Sequence, residues 1–147
     1  PLIADVLDLE LVSYADVFSV QPFANQLVTL TITGAQLKRV LERQGFEARR
    51  SFLFVSQGFS YQWDARRPAG DKVLADSLRL NGQPIAPDQK IRVTANSFVA
   101  DGGDNFNDLR QGTDRVAGLV DVEALEQYLL ARPGVRPDPA PRVQRVN

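Results

Sequence analysis

Two short stretches carry the side chains best suited to chemistry. One is QPFANQL, residues 21–27, and the other is SFVADGGDNF, residues 97–106. Each sets an aromatic residue beside polar groups in a turn-forming context. Phe23 and Phe98 could sandwich a flat heteroaromatic ring. Stacking a base on an aromatic side chain contributes about 1–3 kcal/mol and tolerates any base. Asn25 and Asp104 would then supply the few fixed polar contacts that orient a ligand in such a pocket. Gly102 and Gly103 let the backbone turn tightly or approach a ligand closely. Every one of these residues also has a plain structural reading. Phe23 can pack as a hydrophobic staple, and Asn25 can satisfy the amides of a turn. Asp104 can cap a following helix, and the glycines can be no more than a bend. Spacing alone does not decide between the readings, nor does it show that the two stretches meet.

Two other groups of residues qualify for scrutiny. Arg66 and Arg67 lie in a Pro/Gly turn beside Asp71, where they could bind phosphate; surface charge pairs in turns are common, which favours a solvated turn. Tyr61 and Trp63 alternate with Phe59 along one face and read first as core or cross-strand partners.

The rest of the composition narrows the chemistry. The chain has 147 residues but no cysteine and no histidine. That excludes disulfides, thiolate nucleophiles, a Ser-His-Asp mechanism and a histidine-based metal site within it. No metal site and no catalytic residue is expected here. A net charge of −1 supplies no global field to recruit a nucleic-acid polymer. No apolar run approaches the length of a membrane span. The first residues, PLIADVLDLELVSY, contain no Met and read as a piece cut from a longer protein.

The elements that must position the two stretches can be read from periodicity. Ser13 suits the N-cap of a short helix through residues 14–20, which Pro22 stops. Residues 26–34 alternate, with Val28, Leu30 and Ile32 on one side, and form a strand ending at Gly34. Leu37, Val40 and Leu41 recur at helical spacing in the helix that follows, and Gly45 ends it. Residues 52–65 read as strand, kink at Gly58, strand. Residues 73–80 and the segment after Asn81-Gly82 read as a two-stranded unit, since Asn-Gly between apolar alternations marks a tight turn. A short helix is expected at 105–111. A longer one is expected at 121–133, capped by Asp121, with Val122, Leu125, Leu129 and Leu130 as its apolar stripe. Residues 133–147 hold four of the nine prolines and read as an extended tail over the surface. The order of elements indicates an α+β fold: a single compact domain with mixed β-sheets and flanking helices over 1–132, followed by the tail.

Three dispersed segments, DVFSVQPFANQLVTLTITGAQLKRVLE, FLFVSQGFSYQWDARRPAGDKV and IRVTANSFVADGGDNF, together resemble the C-terminal domain of the 5′-nucleotidase family. That family includes UDP-sugar hydrolases and 2′,3′-cyclic-nucleotide phosphodiesterases. The shared pattern is PF-x-N, a strand, TG-x-x-L opening a helix, a Gly/Arg turn, and N-x-F-x-x-x-GGD-x-F. It spans residues 12–132 in order, and several separate motifs agree, which makes it specific.

The resemblance implies a function for this chain as a substrate-recognition domain of a metal-dependent phosphoester hydrolase. Phe23 and Phe98 correspond to the aromatics that stack on opposite faces of the base. Asp104 corresponds to the acid that binds near the nucleoside, and Asn25 to the amide that shapes the pocket. The ligand implied is a nucleotide or nucleoside. The partner implied is an N-terminal metallophosphoesterase domain of the same polypeptide, holding two divalent metal ions that this chain cannot hold. The fragment alone is expected to be inactive, and its home periplasmic, extracellular or at the cell surface. A non-catalytic nucleotide-sensing or adhesion module of a secreted protein is the alternative. Two positions depart from the family pattern: Ala24 and Asn105 stand where glycine is usual. The substrate-gripping GG-x-R segment of the family is absent from the first residues.

Overall fold

Strand β1, Gln26–Thr33, is the central strand of a three-stranded sheet, and its alternate side chains face two different environments. Val28, Leu30 and Ile32 are buried, and the threonines between them are half-buried. Burying each of these aliphatic side chains contributes about 1.5–3 kcal/mol. The computed structural model describes residues 12–46 and 53–147. Two strands flank β1 in antiparallel pairing: β5, Lys90–Asn96, and β6, Thr113–Val120. A second sheet has the order β4 (Gln83–Pro84), β3 (Arg79–Leu80), β2 (Phe59–Asp64), β7 (Val143–Val146). In it, β7 runs parallel to β2, with Tyr61 opposite Val143.

Helix α2, Gly34–Glu42, begins directly at the end of β1. Thr33 caps it through a reciprocal box, its hydroxyl accepting from Gln36 N–H while the Gln36 side chain accepts from Thr33 N–H. Leu37, Val40 and Leu41 turn inward onto Leu30, Ile32, Tyr61, Val73 and Phe106 in one continuous core. Trp63 is buried in this core. The Phe46 ring stacks 4.6 Å away and the Arg145 guanidinium lies 5.5 Å from its centroid. Helix α1, Tyr14–Val20, has the capping box expected of Ser13, completed by Asp16.

The α+β class holds, but several local expectations do not. Residues 53–56 are irregular rather than a strand, and β2 starts only at Phe59 (residue 52 lies outside the described residues). Residues 73–80 are a strand only at Arg79–Leu80. Ser77 Oγ donates to Leu74 O and accepts from Gln62 N–H at 2.8 Å, which favours a 3₁₀ turn over Ala75–Ser77. The Asn81-Gly82 hairpin is present, with both residues at positive φ as its tight turn demands. β6 was not foreseen, since Gly118 and the charged residues Asp114 and Arg115 blur its alternation. The 105–111 helix is a 3₁₀ segment, Asn107–Gln111. The last helix, α4, is Asp121–Leu130. Asp121 is its first residue rather than its cap, and Leu130 is 74% exposed rather than part of the stripe. The end of the Pro-rich stretch adds β7 to the second sheet.

One buried group makes stability depend on alkaline pH. Tyr61 is 1% exposed, and its hydroxyl accepts from Gln44 Nε2 at 2.9 Å. Burial pushes this phenol up to about 12. In the unfolded chain a tyrosine ionises near pH 10. The stability contribution is therefore complete below pH 10 and is lost as pH rises toward 12, about 2–3 kcal/mol in all. Urea midpoints measured at pH 9 and pH 11.5 should fall accordingly, and Tyr61→Phe should flatten that fall.

Candidate nucleoside site

The register of β1 against β5 brings the two singled-out stretches together. Leu27 lies opposite Asn96, so the turn that enters β1 and the chain that leaves β5 emerge at the same end of the sheet. Asn96 caps the single-turn helix α3, Ser97–Ala100, accepting from Val99 N–H at 2.9 Å. Phe98 is the second residue of that helix and is 52% exposed. Across the gap, Phe23 is 76% exposed on its turn. Neither ring belongs to the core among the described residues.

Asn25 joins the two stretches directly. Its Oδ1 accepts from Ser97 Oγ at 3.3 Å, and its carbonyl oxygen accepts from Asp121 N–H at 2.7 Å. One residue thus ties the Phe23 turn both to the Phe98 helix and to the start of α4. Sequence reasoning did not single out Ser97, whose position one residue before Phe98 was its only signal.

The glycines have intramolecular reasons. Gly102 ends α3 at φ +90°, with its N–H donating to Val99 O at 3.0 Å, the left-handed termination that glycine provides. Gly103 has no such backbone demand. A Cβ there would lie 2.6 Å from the Phe98 ring. The space that was expected to admit a ligand edge at Gly103 is taken by Phe98 itself, so this glycine sets the pose of the aromatic. Asp104 is exposed and caps nothing: the following 3₁₀ segments have no side-chain cap, and Asp104 itself adopts φ 52°. That correction frees its carboxylate from the structural role. Asp108, four residues on, is the structural acid. It is buried and paired with Arg39 at 2.9 Å and Arg43 at 3.4 Å.

The two departures from the family's glycines fall on left-handed backbone. Ala24 has φ 52° and Asn105 φ 69°. Asparagine adopts this conformation readily, whereas alanine costs about 1–2 kcal/mol there. Arg66 and Arg67 are held by Asp64 and Asp71. The backbone N–H of Arg66 keeps the Asp64 carboxyl below its usual range.

No three His, Cys, Asp or Glu side chains among the described residues cluster so as to hold a metal ion. With no His or Cys in the sequence either, the donor set does not fit a dimetal centre.

The sequence profile described as "5′-nucleotidase, C-terminal domain" matches residues 4–111. The chain belongs to the 5′-nucleotidase C-terminal domain family. A 5′-nucleotidase precursor of Thermus thermophilus superposes with a TM-score of 0.81 at 32% identity, over 92% of this domain and 28% of that chain. The NAD nucleotidase of Haemophilus influenzae, at 19% identity and TM-score 0.73, shares the fold over 92% of this domain and 27% of that chain. A 5′-nucleotidase-related protein of Glossina morsitans morsitans is 30% identical over 79% of this domain and 23% of its own length. This 5′-nucleotidase C-terminal domain therefore spans about a quarter of these relatives. Among its described residues no helix is long and apolar enough to cross a membrane.

Proposed function

We propose that this domain recognises the nucleoside part of a nucleotide for a metal-dependent, 5′-nucleotidase-like phosphoester hydrolase. The observation that carries the reading is the placement of two exposed phenylalanines, Phe23 and Phe98, at one end of a sheet by the β1/β5 register. The base stacks between the two rings. Gly103 sets the angle of one jaw, and the Asn25–Ser97 bond limits the separation of the two segments. Asn25 and Asp104 meet the polar edge of the nucleoside. Hydrolysis takes place on an N-terminal metallophosphoesterase domain of the same polypeptide. This domain contributes binding and orientation and is inactive alone. A periplasmic, extracellular or cell-surface location accords with a relative named as a cell wall protein of Listeria monocytogenes.

Titration with adenosine, followed by amide chemical shifts, tests this. Saturable shifts should appear at residues 23–25 and 97–104. Phe98→Ala and Phe23→Ala should each weaken binding about tenfold, the equivalent of losing one stacking face. Gly103→Ala should weaken it too, by displacing the Phe98 ring. Binding that is indifferent to both phenylalanine substitutions would rule the clamp out.

A further inference from the structure

A second cleft, of about 600 Å³, lies on the other sheet and shares no lining residue with the nucleoside site. Four cationic side chains from four separate places converge on it. They are Lys38 of α2, Arg67 in the turn after β2, Arg79 of β3, and Arg142 just before β7. Among the described residues its acidic lining is Asp71 and Asp76. Asp71 is already engaged, accepting from Lys38 Nζ at 3.1 Å and Arg67 Nη2 at 2.5 Å. Glu42 and Asp138 pair with Lys38 and Arg142, each at 3.0 Å, from outside the lining. Among the described residues the Arg79 Nη1 donates to neutral acceptors, the carbonyl oxygens of Asp76 at 2.7 Å and Leu78 at 3.2 Å. These bonds fix the guanidinium on the wall without offsetting its charge. Ser60 and Gln144 add neutral polar groups to the same wall.

We infer that this cleft binds a small multivalent oxyanion of the phosphate class, with Arg79 as its main contact and Lys38, Arg67 and Arg142 around it. A planar guanidinium presents paired donors that match an oxyanion edge, and such charge-assisted bonds are about twice as strong as neutral ones. The Arg67 and Arg142 side chains are 39% and 31% exposed, so solvent screens them less than fully exposed ions. The inference does not rest on the stacking clamp.

The test is an amide-shift titration of the 147-residue chain with inorganic phosphate, adenosine and AMP in parallel, against sodium chloride at matched ionic strength. Phosphate is expected to give saturable shifts at Ser60, Arg79 and Gln144. Arg79→Ala should weaken binding about tenfold, and Arg79→Lys, which keeps the charge but loses the fork, should weaken it less. Adenosine alone should leave these amides unmoved, so failure of the clamp and failure of the cleft are read separately. AMP shifting both regions identifies a phosphate ester as an acceptable ligand; shifts there with phosphate only confine the cleft to the free ion. Phosphate shifts that do not saturate, or that chloride reproduces, overturn the inference. So does wild-type affinity in both Arg79 variants. Should Arg79→Ala fail to fold, the wild-type titration against chloride still decides.

Discussion

Gly34→Val is expected to lower the unfolding free energy by about 3 kcal/mol, the upper range for overpacking a close contact. A Cβ at Gly34 would lie 2.2 Å from the backbone oxygen of Ala86 and 2.9 Å from Ile85 Cγ2. The first of these is main chain and cannot rotate away. The same approach carries two hydrogen bonds, Gly34 N–H to Gln89 O at 3.0 Å and Ala35 N–H to Pro87 O at 2.8 Å. They satisfy two of the amides that the first turn of a helix leaves open. A side chain at residue 34 pushes the 85–89 segment off α2 and exposes both amides together. Urea denaturation followed by the fluorescence of the single tryptophan, Trp63, measures the loss. Gly34→Ala should show a smaller loss of the same sign. A cost below about 1 kcal/mol for valine would mean that the 85–89 turn yields instead.

At the other end of α2, Glu42→Ala should cost a similar amount, about 3 kcal/mol. The Glu42 side chain is 6% exposed and serves as an acceptor for two backbone donors: Lys72 N–H at 2.9 Å and Val73 N–H at 2.8 Å. It also receives Lys38 Nζ at 3.0 Å. Removing the carboxylate takes the acceptor from both amides beneath the core residue Val73, and a buried donor left unsatisfied costs about 1–3 kcal/mol. Glu42→Gln retains one acceptor oxygen and should fall between alanine and wild type. Hydrogen exchange at residues 72 and 73 should quicken in the same order. Equal stability of the two variants would assign the effect to lost charge rather than lost acceptors.

These two contacts show what the sequence made legible and what it hid. Gly34 reads as a strand terminator from its local context; its real reason, the carbonyl of Ala86, lies far along the chain and leaves no periodic trace. The alternation in β1 and the apolar spacing of α2 are local signals, and both elements formed where they pointed. β6 and β7 were hidden for a different reason. Their hydrogen bonds go to partners far along the chain, while Gly118 in one and the neighbouring prolines of the other mask strand character. The fold class could be read because it depends on the order of the strong elements. The candidate site was half legible. Residue types at 23, 25, 98 and 104 suggested recognition, but the approach of the two stretches that carry them depends on the register of Leu27 opposite Asn96. Glycine at 103 could be seen, but that it receives the Phe98 ring could not, because side-chain direction in a one-turn helix has no sequence signature.

The parallel pairing of β7 with β2 bears on the order in which the domain is made. Gln62 and Gln144, neighbours across that pair, are 82 residues apart in the chain. The three-stranded sheet needs nothing beyond Val120, so it can assemble while the later residues are still being synthesised. The second sheet must wait with one side of β2 unpaired, an open template for another chain, until residues 143–146 arrive. The end of the Pro-rich stretch thus acts as a late-arriving guard strand, and the interval before it docks is when the nascent domain is most exposed to mispairing.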